Sequence, residues 1–123
     1  MPNLIHDKTY RFALKIIYLV NFLQKEKKEF VLSKQLLRSG TAPGALVREA
    51  EHAQSKKDFI HKMSIGLKEI NETNYWLNLL KDSSLIEEEK FIPIHQDCLE
   101  ILRIMAKIVK TSKENLKIAT EKA

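Results

Sequence analysis

The sequence has few of the residues that interrupt helices or cross-link small folds. Its 123 residues include three glycines, three prolines and a single cysteine, Cys98. So few glycines and prolines argue against a turn-rich all-β chain and favour long helices. A single cysteine excludes an internal disulfide, and its presence predicts a reducing compartment.

Long apolar runs are missing as well. No run approaches the roughly 18 residues of a membrane-spanning helix, and residues 1–8 lack the apolar core of a signal peptide. The hydrophobic content of 44% and the charged content of 30% are typical of a globular protein. We therefore predict a soluble, cytoplasmic protein with one domain over residues 1–123 and no membrane association.

Helical periodicity is the main positive feature, and it is clearest from Ser55 to Leu80. Ser55 and Asp58 have the spacing of a capping box, in which the hydroxyl and the carboxylate each accept a backbone N–H at the helix start. A helix of about 26 residues is a rod roughly 40 Å long, which needs partners of similar length. Its apolar stripe consists of Phe59, Met63, Leu67, Ile70, Leu77 and Leu80.

The first predicted helix begins at Asp7 or Thr9 and ends at Lys25, and the charged stretch Lys25–Glu29 forms a loop after it. Its apolar face is wider than one core contact requires. The stripe consists of Phe12, Ile16, Leu19 and Leu23, and it is widened by Ala13, Ile17 and Val20.

The second predicted helix opens near residues 30–33 and meets a proline, Pro43. Proline has no backbone N–H and clashes inside a helix, so we expect the helix to kink near Gly40–Pro43 or to restart there, with Thr41 as the new cap. The hinge between the second helix and the long third helix is short and lies at Gln54. A connection this short makes these two helices antiparallel.

The fourth predicted helix follows a loop, Leu85–Pro93, and runs from Ile94 to Lys113 or beyond. It carries two apolar stripes where one bundle core needs one, so we expect it to be buried on two sides or to pair with another subunit. One stripe is Leu99, Leu102, Met105 and Val109, and the other is Ile101, Ile104 and Ile108. Four helices with short links predict an all-α, up-down-up-down antiparallel four-helix bundle.

Two pairs of residues suggest catalysis, but one has a plainer explanation and the other has the wrong spacing. His95 lies three residues before Cys98 and would share a helix face with it, but a small buried cysteine is the commoner case. Arg48 and His52 resemble the paired residues of helical ribonucleases of the HEPN group, with one residue too few between them. We predict no catalytic residue and keep a ribonuclease as an alternative.

Metal binding rests on two carboxylate–imidazole spacings. Glu49 precedes His52 by three residues, and Asp58 precedes His61 by three, which is the spacing used in di-iron bundles. Both pairs flank one tight turn, and the further carboxylates of such a site are not evident. We predict no metal and no cofactor.

Polar residues of the long helix suggest a structural network. Glu69 and Glu72 share a face and can pair with Arg11 or Arg38 across the bundle. We interpret Tyr75 and Trp76 as core and interface anchors rather than as platforms for bases. The predicted network consists of Glu49, Asp58, Lys68, Glu69, Glu72, Tyr75 and Trp76.

The chain is mildly basic, with 21 basic and 16 acidic residues and a formal net charge of +5. This balance permits nucleic acid as a partner, although solvated lysine-rich helices explain it equally well. Further lysines lie along the last predicted helix, at positions 107, 110, 113 and 117. The residues that we predict to contact phosphate are Arg11, Lys15, Arg38, Arg48, Lys56 and Lys57.

From about Tyr10 to Ser112 the sequence resembles the 23S rRNA intervening-sequence protein family, once called ribosomal protein S23. The stretch RFALKIIYL in the first helix belongs to this resemblance. Its most specific parts are Leu37–Gly40, Glu49–Ala50, Ser55–Phe59, Lys68–Glu69, Glu72–Thr73 and Tyr75–Trp76.

The resemblance implies a bundle that assembles as a homopentameric ring and has no established enzymatic activity. The family is similar to the accessory variability protein of diversity-generating retroelements, a basic pentamer thought to bind nucleic acid and a reverse transcriptase. Two hypotheses follow, a nucleic-acid-binding module and a scaffold for a protein partner. Ala42–Pro43 departs from the family pattern of Ser or Thr followed by an aliphatic residue, which concerns the local geometry of the second helix.

Overall fold

The computed structural model describes residues 4–122, which leaves both ends of the predicted 1–123 domain outside the description. Four helices follow one another with short connections, and the described residues contain no strand. Each helix packs against the next, and α1 also packs against α4, which closes the bundle. The predicted all-α four-helix bundle is confirmed. The helices are α1 (Leu4–Lys25), α2 (Leu32–Glu51), α3 (Lys56–Asp82) and α4 (Glu88–Lys122).

Contacts between the helices show that neighbours are antiparallel. A Cβ on Gly40 would touch Ile16, and one on Gly44 would touch Thr9, so rising numbers on α2 meet falling numbers on α1. The same reversal joins α2 to α3 and α3 to α4. The order is therefore up-down-up-down, as predicted.

Buried side chains from all four helices form one core cluster. On α3, the predicted Met63, Ile70, Leu77 and Leu80 are at most 1% exposed. Phe59 and Leu67, which were predicted in the same stripe, pack against this cluster from its edge and are only partly buried. Met63, Ile70 and Leu77 are seven residues apart, which is the spacing that keeps one face of a long helix on its partners.

Helix α2 is continuous through Pro43, so the predicted restart at Thr41 is wrong. Thr41 does not cap a helix; its hydroxyl donates to the carbonyl of Leu37 at 2.7 Å. Pro43 is buried in the core, and the small residues Gly40 and Gly44 let α1 approach closely. This packing offsets the lost backbone hydrogen bond. The bend that proline favours stays a prediction.

The start of α2 is held by a glutamate that the sequence pattern did not single out. The carboxylate of Glu29 accepts the backbone N–H groups of Val31, Leu32 and Ser33 at 3.2, 3.0 and 2.7 Å. These are N–H groups that a helix start cannot pair internally. The predicted loop over Lys25–Glu29 is confirmed, and α2 begins at Leu32, within the predicted range of residues 30–33.

Replacing Glu29 with glutamine is expected to lower the free energy of unfolding by about 1 kcal/mol at neutral pH. Partial burial raises the pKa of Glu29, but the hydrogen bonds from Leu32, Ser33 and Val31 lower it more, and the net pKa lies below the usual value. A lowered pKa stabilises the fold above the unfolded value near 4.3, and that stabilisation is lost as pH falls through the folded value. Urea unfolding of both proteins from neutral to acidic pH measures the difference. Glu26→Gln in the same loop is the control, and an equal effect of both changes would contradict the cap.

Helices α1 and α4 both begin earlier than predicted. Helix α1 begins at Leu4, with Ile5 buried, and Thr9 is a buried residue whose hydroxyl donates to the carbonyl of Ile5 at 2.7 Å. Helix α4 begins at Glu88, and Pro93 lies inside it, so the predicted loop Leu85–Pro93 is too long. Burial of Phe91 explains the early start, because its side chain anchors the first turn of α4 to the core.

The core face of α4 falls between the two predicted stripes. It consists of Phe91, Ile94, Cys98, Ile101, Met105 and Val109. Leu102, Ile104 and Ile108 pack beside this face and are partly buried. The prediction of two separate stripes is therefore corrected to one buried stripe with apolar shoulders.

The cap of α3 is confirmed with one change of partner. The hydroxyl of Ser55 accepts the N–H of Asp58 at 3.0 Å, as predicted. The carboxylate of Asp58 accepts the N–H of Gln54 at 3.3 Å, one residue before the cap. Among the described residues, no helix has the length and apolarity to cross a membrane.

Candidate nucleic-acid interface

The six cations predicted to contact phosphate do not form one surface. Arg38, on α2, binds Glu69 at 2.8 Å and also Glu72, both on α3. Lys56 and Lys57 begin α3, and the 1.5 Å rise per residue places them about 20 Å from these glutamates along the helix. Arg38 was predicted both to contact phosphate and to pair with Glu69 and Glu72. The structure shows the pairing.

Arg11 and Lys15 lie in the groove between α1 and α4. Lys15 binds Asp97 at 2.5 Å, and Lys8 binds Glu100 at 2.6 Å. Arg11 lies with these two pairs around a polar cavity of about 140 Å³. Two carboxylates beside three cations leave this groove with little excess positive charge.

Arg48 projects at the outer seam of α1 and α2. Its guanidinium carbon lies 5.4 Å from the centre of the Tyr10 ring, which is cation–π geometry. His52 follows at the end of α2, where its backbone N–H donates to the carbonyl of Glu49. Arg48 is exposed, and the ring of Tyr10 is its recorded contact.

Lys56 and Lys57 lie at the end of the bundle where α4 passes the first turn of α3. An open cavity of about 550 Å³ separates the two helices there, and Lys57, Lys113 and Lys117 line it together with Ile60 and Leu116. Lys110, Lys113 and Lys117 are three and four residues apart, so they share one face of α4. All are exposed. We call the following set the distal basic surface: Lys56, Lys57, Lys110, Lys113 and Lys117.

The last part of α4, which includes three lysines of the distal basic surface, carries most of the net charge of the protein. Residues 103–123 contain six basic and two acidic residues, a net charge of +4 out of the total of +5. Within the described residues, none of the five lysines forms an ion pair. Of this set, only Lys56 and Lys57 were predicted to contact phosphate, although Lys110, Lys113 and Lys117 were recognised as basic residues along the last helix.

Three residues of the predicted structural network lie together around Arg38. Arg38, rather than Arg11, binds Glu69 and Glu72, and the indole N–H of Trp76 donates to Glu72 at 2.9 Å. Behind these groups, Thr73 and Ser39 form a buried hydroxyl pair at 3.0 Å. This polar cluster fixes the register of α2 against α3.

Two members of the predicted network differ from expectation. Tyr75 contacts the edge of Trp76, with ring centres 5.0 Å apart, but it is 58% exposed and so is not a core anchor. Lys68 is exposed and, in residues 4–122, has no ion pair with the cluster.

The carboxylates of the two metal-like spacings have other partners. Glu49 binds Lys62 at 3.1 Å, and Asp58 caps α3. Residues 4–122 contain no group of three or more side chains that could hold a metal ion. The two spacings are thus explained by an ion pair and a helix cap.

His95 and Cys98 do not form a reactive pair. Cys98 is fully buried, and its thiol donates to the carbonyl of Ile70 at 3.6 Å. Burial, with a contribution from Asp97, raises the pKa of Cys98 to about 12, so the thiolate is disfavoured. His95 lies 2.8 Å from the side-chain oxygen of Asn74, and burial followed by the charge of Lys81 lowers the pKa of His95. The interpretation of Cys98 as a small buried residue is confirmed.

Comparisons with known proteins agree with the fold and leave its function open. A solved structure, described as a protein with unknown function from the S23 ribosomal protein family of Bacteroides thetaiotaomicron VPI-5482, is 51% identical to this chain. The match covers 86% of this chain and 98% of that chain, with a TM-score of 0.85. None of the curated proteins matches the sequence significantly. Residues 3–107 match the family described as 23S rRNA-intervening sequence protein. The chain therefore belongs to the 23S rRNA-intervening sequence protein family.

Proposed function

We propose that this protein is a non-enzymatic, oligomeric module that binds RNA or DNA through its exposed lysines. The observation that carries the proposal is the concentration of four of the five net charges in residues 103–123, beside Lys56 and Lys57. Lysines outside ion pairs can exchange their counterions for phosphates at little cost. Such contacts supply affinity without sequence choice.

The six predicted cations differ in how easily they could bind phosphate, because they have different contacts. Lys56 and Lys57 are exposed and outside ion pairs, which suits phosphate binding. Arg38 and Lys15 have carboxylate partners that a phosphate would have to displace. Arg11 and Arg48 would contribute at longer range, because one lies beside two ion pairs and the other over Tyr10.

Self-association is the second part of the proposal. Tyr10, Leu14, Ile17 and Tyr18 are 40 to 71% exposed on the outer side of α1, although they are large and apolar. An exposed apolar stripe of this kind is typical of a contact surface. We place these residues in subunit contacts of a homopentameric ring, which would repeat the basic surface in each subunit. A cytoplasmic location suits the unoxidised thiol of Cys98.

Binding to RNA and to duplex DNA across a salt titration tests the proposal, with the mass of the protein measured by light scattering. We expect an oligomeric mass and sequence-independent binding that weakens as salt rises. Replacing both Lys56 and Lys57 with alanine should reduce the slope of log affinity against log salt by about 2. The matched control is Lys27→Ala with Lys28→Ala at the opposite end of the bundle. No binding at about 50 mM salt would overturn the proposal.

A scaffold for a protein partner is the alternative, and one groove favours it. Between α1 and α4, a cavity of about 310 Å³ is lined by Tyr18, Leu19, Phe22, Pro93 and Ile94. A mostly apolar groove of this size suits an inserted side chain of a partner, such as the reverse transcriptase that the resemblance suggests. An oligomer that ignores nucleic acid but captures such a partner would favour the scaffold.

A further inference from the structure

Helix α4 extends past the part of the chain that matches the family. The match ends at Lys107, whereas α4 continues to Lys122. The segment from 108 to 122, which we call the α4 extension, therefore lies outside the family match.

We infer that the α4 extension, together with the first turn of α3, is a binding site for the phosphate backbone of double-stranded nucleic acid. The inference rests on the proposed function, which it narrows to one surface and one class of ligand. Neither the family match nor the relative's description assigns a role to this segment.

The charges of the extension favour phosphate. Lys110, Lys113 and Lys117 form a row on one helix face, and Lys57 extends it across the cavity. The nearby acidic residues are fewer. Glu121 lines the cavity with the lysines, Glu114 lies elsewhere on the extension, and the carboxylate of Asp58 accepts the N–H of Gln54. The helix holds its lysines at fixed spacing, so they meet a regular array of phosphates without first being ordered.

The shortage of accessible aromatic residues favours a duplex over a single strand. Residues 92–123 contain no Phe, Tyr or Trp, and Phe59, in the first turn of α3, is partly buried against the core. Proteins that hold single strands stack the bases on aromatic side chains, and the one aromatic residue of this site packs against the core instead. A duplex keeps its bases stacked on each other and presents one phosphate charge per about 1.7 Å, which is the denser target for lysines alone.

The apolar residues of the extension do not suit a membrane surface. Leu116 is partly buried and lines the cavity beside Ile60, and Val109 is buried in the core. Ile118 is the one large apolar side chain of the extension that is about half exposed or more. Helices that lie in a membrane interface insert a broad apolar face, often with Trp or Phe, which this segment lacks.

Charge reversal in the full chain tests the site. The distal triple variant, K110E/K113E/K117E, changes the net charge from +5 to −1, because each substitution replaces a charge of +1 with a charge of −1. The control triple variant, K25E/K27E/K28E, makes the same change in exposed residues near the end of α1, at the opposite end of the bundle. Equal net charge separates the effect of the site from the effect of overall charge.

Fluorescence anisotropy measures the affinity of each protein for a short duplex DNA, a duplex RNA and a single strand of the same sequence. Five lysines on phosphate predict a salt slope of about −4.5 for the wild-type protein, or about 500-fold weaker duplex binding at 200 mM than at 50 mM salt. The distal triple should bind at least about 100-fold more weakly at 50 mM, with a slope near −2. The control triple should keep the wild-type slope, and the single strand should bind more weakly than either duplex.

The outcomes separate the inference from the proposed function. If the wild-type protein binds no nucleic acid, both the inference and the proposed function are wrong. The same holds if it binds vesicles of anionic lipid in a separate assay but binds no nucleic acid. Duplex binding that both triples weaken equally, or that neither weakens, leaves the proposed function standing and shows that the site is elsewhere. Tighter binding to the single strand overturns the duplex assignment. Circular dichroism checks the fold, and K110A/K113A/K117A replaces the distal triple if the glutamates prevent folding.

Discussion

Replacing Gly40 with leucine is expected to lower the free energy of unfolding by about 4 kcal/mol, and replacing it with alanine by about 1–2 kcal/mol. A Cβ at Gly40 would lie 2.7 to 2.9 Å from three carbon atoms of the Ile16 side chain. Ile16 is fully buried and β-branched, so it has little freedom to move away. For alanine, the cost of overpacking exceeds the gain of about 1 kcal/mol in helix propensity.

Two other helical glycines provide matched controls. A Cβ at Gly44 would meet the carbonyl oxygen of Thr9 at 3.4 Å, an ordinary contact, so Gly44→Ala should be neutral or stabilising by up to about 1 kcal/mol. A Cβ at Gly66 would lie 2.5 Å from the terminal methyl of Met105. That methyl ends a flexible side chain, so Gly66→Ala should cost less than about 1 kcal/mol.

A double variant tests the cause of the Gly40 effect. Ile16→Ala removes the three atoms that a Cβ at position 40 would strike, so the two substitutions should be less destabilising together than their sum, by at least about 1 kcal/mol. Urea unfolding at constant m-value gives all four free energies. Additive effects would show that the contact with Ile16 does not cause the loss.

Replacing Phe12 with alanine is expected to lower the free energy of unfolding by about 3–5 kcal/mol. Phe12 is 1% exposed and is among the largest side chains buried in the core. It lies at the loosest seam of the bundle, where α1 meets α4, so little other packing can close the cavity left by its ring. The loss therefore includes both the transfer of the ring to water and the cavity.

Phe30→Ala is the control for Phe12. Phe30 is the same residue type, but it lies in the loop between α1 and α2 and is 50% exposed. Its replacement should change the free energy of unfolding by less than about 1 kcal/mol. Similar urea midpoints for the two variants would contradict the assignment of Phe12 to the core.

The candidate interface was only partly predictable from the sequence. Lys56 and Lys57 were predicted, because they follow the turn before the long helix. Whether a cation is neutralised depends on residues distant in the chain: Lys15 meets Asp97, and Arg38 meets Glu69. Lys113 and Lys117 join Lys57 only because α4 runs antiparallel to α3. Such pairings follow from how the helices pack, which local pattern does not contain.

The sequence by itself determined the four helices, their antiparallel order and the cap at Ser55, because apolar spacing and capping are local properties. Only the tertiary structure decided where α4 begins and that α2 passes through Pro43. A proline inside a helix costs about 3 kcal/mol. At Pro93 in α4, burial of the neighbouring Phe91 and Ile94 offsets that cost. At Pro43 in α2, burial of the proline itself against the closely packed α1 offsets it. Local preference sets helix boundaries unless packing of buried side chains outweighs it, and at both prolines it does.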